Sequence, residues 1–491
     1  MNRMNQPKTS QTLLFLCGLI LLLMSVTSQG YFHWDEHFQL LEFANYKSGL
    51  AKPEGLAWEF HEQIRPGLQP FIAYTIMSLN RALGIQDPFF IAFILRLLSG
   101  IMSLMVIILY TRLIIKELPS SKSVKTIFIS LAGFLWFCPF LLVRFSSENW
   151  SSLFFFGGIY FLMNSLANSN TNRFFPIFMA GLLLSLAFQF RFQIAFAGLG
   201  IVAWLINNKS LKLKGWSYLS VGALLGLIIG FLCDYWLYGS WQLTSLKYFD
   251  SNVIKGMAAS FGISPWFAYF PLVFNALGPV LNIVLIAFFM IGLFSNRKHF
   301  MVWIIIPFVV AHLVTSHKEL RFMFPMLIPF LYLITLGAEK TFSLIKLNLP
   351  VKLVMGSICI FNLFLLVVRI MGPANPHILY YRYIFNQTKS AKPVVIFYTE
   401  SNMYGPSGLR MTFYRPPNLL QLEVQNPFQL DTYDTSLKNA FIFSDGVSTL
   451  IKPDRKTLRA GFTADYWSLP SILETKKLEK ASSNWSLYKL D

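Results

Sequence analysis

Long apolar runs recur from one end of this chain towards the other, each close to the roughly 20 residues a helix needs to cross the hydrocarbon core of a bilayer. Residues 12–29, 88–115, 215–238 and 350–371 are the plainest cases. Backbone groups that enter lipid must pair within their own segment, and helices do so. The expected fold class is therefore a polytopic α-helical membrane protein, in which only 13% of 491 residues are charged. The formal charge of +18 would suit nucleic acid, but Lys and Arg gather in the short turns between apolar runs. Cytoplasmic retention and anionic lipid account for them there. Membrane lipids are expected as partners and nucleic acid is not.

Arg3 and Lys8 put the amino terminus in the cytoplasm. Residues 12–29 lack an A-x-A-like cleavage site, so they read as a retained first helix rather than a signal peptide. Residues 30–87 then form an outer loop, whose stretch 67–83 reads as a helix in the interface. Counting it as a crossing would place Arg112, Lys116, Lys122 and Lys125 outside. Further helices follow near 88–115, 125–143, 150–168, 174–190, 192–207, 215–238, 268–294, 300–316, 322–339 and 350–371, about 11 crossings in all. The cytoplasmic turns then hold Lys122 and Lys125, Arg173, Lys209, Lys212 and Lys214, Arg297 and Lys298, and Lys340 and Lys346.

Composition changes near residue 371. Residues 1–371 read as the transmembrane domain and 372–491 as a small extracytoplasmic α/β domain, with buried strands at 393–400 and 439–445 and a helix near 471–480. Cys17, Cys138, Cys233 and Cys359 fall in apolar runs without ligand spacing and read as small core hydrophobes. Four short glycosylation sequons, at Asn149, Asn208, Asn386 and Asn484, identify no compartment.

By the same count, the outer turns hold the unusual residues: Asp35 and Glu36, Arg144 and Glu148, Arg191, and then His317, Lys318, Glu319 and Arg321. A charge at membrane depth costs about 2.5–3.5 kcal/mol on insertion scales, so a set of them on one face calls for a shared task. A lone arginine at such a helix end snorkels to the interface. Arg96 lies within an apolar run and should face the bundle interior, as an ion-pair partner or a substrate contact. His312 reads as a satisfied helix histidine.

Two chemistries use the first acidic segment. His33-Trp34-Asp35-Glu36-His37 fits H-x-x-E-H, in which two histidines bind zinc and the glutamate activates water. It lacks an evident third ligand and leaves the outer cations unexplained. Alternatively Asp35 or Glu36 is a general base for an acceptor hydroxyl, while Lys318, Arg321 and Arg191 neutralise a phosphate leaving group. That reading uses charges of both signs. A transporter would distribute charges through the bundle and show an inverted repeat; neither is seen.

At this point the chain resembles the family 22 glycosyltransferases of the GT-C superfamily, which includes the Alg9-like mannosyltransferases of GPI-anchor and asparagine-linked-glycan assembly. HWDEHFQLLEF (33–43) is similar to the family's His-Pro-Asp-Glu segment, and EQIRPGLQP (62–70) to its Ile-Arg-Ser stretch. RFSSENWSS (144–152) resembles Arg-Thr-x-x-Asn-x-x-Glu, and SHKELRFMFPMLIPF (316–330) resembles His-Lys-Glu-x-Arg-Phe with its proline-bearing helix. Trp34 replaces the family's proline, and Glu148 and Asn149 stand out of its order.

The resemblance covers about residues 10–370. It implies inverting transfer of mannose from a polyprenyl-phosphate-mannose donor to a lipid-linked glycan or envelope acceptor on the non-cytoplasmic face. Asp35 matches the base, with Glu36 beside it. Lys318 and Arg321, with His317 nearby, match the donor-phosphate site; Arg191 joins them by charge, and Glu319 would orient the cations. His33, Gln39, Arg65, Arg96, Arg144 and Glu148 are further candidates for substrate contact. No metal or other cofactor is required in principle, and a divalent cation as helper is left open. A bacterial inner membrane is the expected location, or the endoplasmic reticulum in a eukaryote.

Overall fold

The computed structural model describes residues 6–118, 123–167, 173–345, 348–389, 393–399, 401–425, 439–445, 458–462 and 485–490. Six helices among them are long and apolar enough to cross a membrane: Thr9–Thr27, Pro88–Glu117, Ser147–Ala167, Leu213–Tyr238, Leu320–Leu344 and Leu349–Met371. A seventh span arises if Val280–Ser295 and Phe300–Val314, bent by 118°, count as one. Shorter apolar helices occupy Val124–Phe134, Phe174–Phe190, Phe192–Asn207 and Trp266–Leu277. The chain is a multi-pass membrane protein. The expected helix at 471–480, Lys122, Lys346 and the Asn484 sequon lie outside the described residues.

Contacts divide the chain into two compact units. The first comprises Met1–Val26, Glu62–Ile72 and Ile94–Ile370. Its helices Phe174–Phe190 and Leu213–Tyr238 approach backbone to backbone: a methyl added at Gly222 would strike Phe178 O, and one at Gly181 would strike Leu219 O. Small residues are what such a crossing needs in lipid, where close van der Waals contact replaces the hydrophobic drive.

Prolines set where the expected helices break. The segment expected as one helix over 125–143 is divided into Val124–Phe134 and Cys138–Leu142, with Leu135 extended at ψ 118°. Pro139 is the cause: it offers no N–H to the Leu135 carbonyl four residues earlier, and its ring would collide with that group. The segment expected over 268–294 divides at Gly278-Pro279, with Gly278 at φ +74°. Pro325 shapes the 3-10 stretch Leu320–Met326 that leads into the helix Leu327–Leu344. Of the cysteines, Cys17, Cys138 and Cys233 are buried as expected, whereas Cys359 is exposed on Leu349–Met371.

The second unit comprises Thr27–His61, Ala73–Phe93 and Met371–Asp491. A five-stranded sheet runs in the order β2-β1-β3-β5-β4, with β1 Val394–Tyr398, β2 Leu419–Glu423, β3 Ala440–Ser444, β4 Leu458–Phe462 and β5 Ser486–Leu490. The first two pairings are parallel and the last two antiparallel. Strands β1 and β3 fall on the two apolar runs marked in the sequence. Both faces of β1 are buried, which is why VVIF is a continuous apolar run rather than an alternating one. Val395, Phe397, Val424, Ala440 and Ile442 form a core on one face.

Gly30 turns the chain into this unit. Its φ of +83° and the Ile378 and Asn375 side chains 3.1–3.2 Å from where a Cβ would sit leave room for glycine alone. The adjacent Gln29 carbonyl accepts the Ala374 N–H at 2.8 Å.

Candidate active site

In the first unit, the cations singled out in the sequence meet around two carboxylates. Glu148 opens the helix Ser147–Ala167, Arg191 follows the end of Phe174–Phe190, and Glu319 and Arg321 begin the 3-10 stretch. Glu148 Oε1 accepts from Arg191 Nη1 at 2.7 Å and from Arg321 Nη1 at 3.3 Å. Arg321 grips Glu319 with two nitrogens, Nε at 2.5 Å and Nη2 at 3.3 Å, and His317 Nε2 reaches Glu319 Oε1 at 3.0 Å. Both guanidinium groups lie over the Phe322 ring, 5.3 and 5.2 Å from its centre.

Arg191 and Glu148 are about 4–5% exposed, so their charges are removed from water and depend on each other. The buried Arg191 Nε–H has no hydrogen-bond acceptor among the described residues. Lys318 is turned to backbone, donating to Thr315 O at 2.6 Å and Ser264 O at 3.2 Å, and burial lowers its pKa from the ordinary value. Glu148, Arg191, Lys318, Glu319 and Arg321 leave three cations against two carboxylates. Such a surplus in a low-dielectric site suits a phosphate.

The other candidates of this unit are placed differently. Arg144 is buried with its guanidinium 5.4 Å from the Phe140 ring, and its carbonyl, like that of Leu142, accepts from Asn149 Nδ2 at 2.9 Å. The Asn149 side chain of the sequon is thus spent inside the fold. Arg96 is buried and donates from Nε to Ser25 O at 2.9 Å. His312 Nδ1 donates to Phe308 O at 2.8 Å. Arg65 lies over Tyr248, 5.9 Å from the ring centre, and the Tyr248 hydroxyl meets Gln193 Nε2. Lys247 Nζ donates to Gln63 Oε1 at 2.6 Å. Tyr248 and Lys247, the partners of Arg65 and Gln63, were not legible in the sequence, since the stretch around 239–267 carries no motif.

The acidic segment belongs to the second unit. Asp35 immediately precedes a π-helical turn, Glu36–Leu41, which widens the helix by one residue per turn and recurs at functional sites. Asp35 N–H donates to His33 Nδ1 at 3.2 Å, and its carboxylate lies 3.5 Å from the same nitrogen. Its side chain is 20% exposed. Glu36 is buried and accepts the Phe32 N–H at 3.0 Å. Of the two acids, Asp35 has the access to solvent that a base needs.

The rest of the motif is committed to structure. His37 has no exposed surface; its Nε2–H donates to Glu42 Oε1 at 2.8 Å and its ring stacks on Tyr414, 5.4 Å between centres. Gln39 Nε2 donates to Glu59 Oε1 at 2.7 Å. Among the described residues no three His, Cys, Asp or Glu side chains gather as metal ligands. His37 therefore holds Glu42 where the zinc reading of H-x-x-E-H needs it on a metal. Glu42 and Glu59 were missed in the sequence, because their partners lie up to 371 residues away.

The Alg9-like mannosyltransferase family model matches residues 13–410. Among curated proteins, the chain is 26% identical to GPI mannosyltransferase 3 of Yarrowia lipolytica, over 66% of this chain and 61% of that protein. It is 26% identical to GPI alpha-1,2-mannosyltransferase 3 of Danio rerio, over 70% and 61%, and 23% identical to Mannosyltransferase APTG1 of Arabidopsis thaliana, over 61% and 53%. The matched region spans between half and two thirds of the length of these relatives.

Proposed function

This chain belongs to the Alg9-like mannosyltransferase family, and on that premise we propose that it transfers mannose, with inversion, from a polyprenyl-phosphate-mannose donor to a lipid-linked glycan acceptor on the non-cytoplasmic face of its membrane. Asp35 takes the proton from an acceptor hydroxyl as that oxygen attacks C1 of the mannose. The bond from C1 to the phosphate oxygen breaks, and polyprenyl phosphate leaves with the electron pair. Arg191 and Arg321, with Lys318 and His317, hold the charge that develops on the phosphate. Glu148 and Glu319 fix the guanidinium planes without reacting.

The observation that carries this reading is the buried Glu148–Arg191–Arg321 cluster, whose Arg191 Nε–H has no acceptor among the described residues. At 4 Å and an effective dielectric near 20, one cation–phosphate contact contributes about 4 kcal/mol. Two such contacts offset the charge of a departing phosphate, so no cofactor is required in principle, and the chelator arm of the test decides whether a divalent cation helps.

We read the apolar helices as eleven crossings with a cytoplasmic amino terminus and an extracytoplasmic C-terminal domain. Basic turns such as Lys209–Lys214 and Arg297–Lys298 support this arrangement. They suit a bacterial inner membrane and an endoplasmic-reticulum membrane equally, and the acceptor distinguishes the two.

The test is transfer of radiolabelled mannose from polyprenyl-phosphate-mannose to membrane lipid extract by the purified protein in detergent, with and without chelator. Chelator-resistant transfer is expected. Absence of transfer with both mannose and glucose donors, together with stoichiometric zinc, would replace this reading with the peptidase.

A further inference from the structure

The second unit contains a pocket of about 510 Å³ away from any residue assigned a role above. Its polar lining includes Arg81, Arg415, Asn45 and Thr412, its walls include Phe385 and Phe413, and no carboxylate is among the described residues that line it. The Arg81 guanidinium has no hydrogen bond or ion pair among the described residues, its carbonyl accepting the Gly84 N–H at 3.0 Å, and Arg415 spends one Nη2 bond on Leu419 O at 3.3 Å. The neighbouring acid, Asp87, is used elsewhere: Oδ1 accepts from Phe89 N–H at 2.9 Å, and Oδ2 lies 3.9 Å from Lys389.

The floor is held in place before any ligand arrives. Asn45 Nδ2 donates to Thr412 Oγ1 at 2.8 Å, and the Thr412 N–H donates to Glu42 at 2.8 Å. Arg415 precedes Pro416 and Pro417, which restrict its backbone to extended conformations. Near the pocket Leu50 is 63% exposed and Leu83, two residues from the lining Ile85, is 76% exposed. Two guanidinium groups with donors to spare, a lining free of carboxylate and an apolar margin match one chemistry.

We propose that this pocket binds a phosphate ester carried on an apolar chain, with Arg81 and Arg415 on the phosphate and the phenylalanines and leucines on the chain. The guanidinium fork matches phosphate oxygens two at a time, and the volume lies within the usual range for a small-ligand site. The lipid-linked acceptor and an anionic phospholipid both present this group. The site does not depend on the transferase reading.

The experiment is photo-crosslinking of the purified full-length protein with a diazirine-bearing dodecyl phosphate, followed by peptide mapping. Labelling of peptides from 77–91 or 412–417 is expected, with displacement by dodecyl phosphate and not by dodecanol. Arg81→Ala with Arg415→Ala, both on exposed residues, should lower that labelling at least about tenfold while peptides around 317–321 label as before. Absence of label from both segments, displacement by dodecanol, or unchanged labelling in the double variant would overturn the proposal. In a parallel transfer assay, a raised acceptor KM with unchanged donor KM identifies the ligand as the acceptor lipid. Unchanged KM values with label lost identify it as phospholipid. The crosslink reads out whether or not mannose is transferred.

Discussion

Replacing Glu42 should loosen the segment around Thr412 by an amount that the structure lets us work out. The Glu42 carboxylate, 1% exposed, accepts from four donors: His37 Nε2 at 2.8 Å, the Thr412 N–H at 2.8 Å, the Phe413 N–H at 3.0 Å and, closely, the Thr412 hydroxyl. Three of them converge on Oε1. In Glu42→Gln the amide oxygen keeps those three while the NH2 meets the hydroxyl, which has a second lone pair available beside the bond from Asn45. What is lost is charge assistance, about 1 kcal/mol per bond, offset in part by no longer burying a charge. The net cost is about 2 kcal/mol. Glu42→Ala instead strands two backbone N–H groups, the hydroxyl and His37, at about 1–3 kcal/mol each. Hydrogen exchange of peptides covering 412–414, read by mass spectrometry, reports this opening directly. Protection should fall about 30-fold in Glu42→Gln, from about 1.4 kcal/mol per factor of ten, and by at least about 10³ in Glu42→Ala. Unchanged protection in both variants would refute the reasoning, because the four bonds would then contribute nothing to holding the segment.

Three other outcomes are expected. Arg321→Ala should raise donor KM at least about tenfold while leaving acceptor KM within about twofold, since a guanidinium on a departing phosphate acts on the donor alone; equal losses for both substrates count against the phosphate role. Glu148→Gln leaves Arg191 and Arg321 facing a neutral amide at 2.7 and 3.3 Å, and breaking such a buried pair costs about 3–5 kcal/mol; a thermal melt in detergent that matches the parent protein would contradict that. Gly222→Leu drives a side chain into the Phe178 carbonyl and should abolish recovery of monodisperse protein, so normal size-exclusion behaviour would show that the two helices do not pack as described.

Much of the helical layout was legible because hydropathy is a local signal: nineteen or so consecutive apolar residues announce themselves wherever they fold. Proline effects were legible in principle, since Pro139 and Gly278-Pro279 sit where the expected helices divide. The two buried strands could be read from VVIF and AFIF, whereas β4 (LRAGF) and β5 (SLYKL) are mixed in sequence and carry no unbroken apolar run. Site residues show the same division. Charges at helix ends, such as Arg191, Glu319 and Arg321, stand out against apolar sequence and meet in the fold. Glu42 and Glu59 did not stand out, because a carboxylate in a mildly polar loop looks solvated until its partner at residue 412, or at Gln39, is known. The His37 contact was hidden for the same reason: its partner, Glu42, lies just outside the five-residue motif.

The central claim is that Asp35 is the base of a mannosyl transfer. The most direct measurement compares initial rates of mannose transfer by the parent protein and by Asp35→Asn, purified alike and matched in melting temperature. The account predicts a loss of at least about 10²-fold in kcat with donor KM little changed, as removal of a general base requires. A rate equal to the parent's would contradict it.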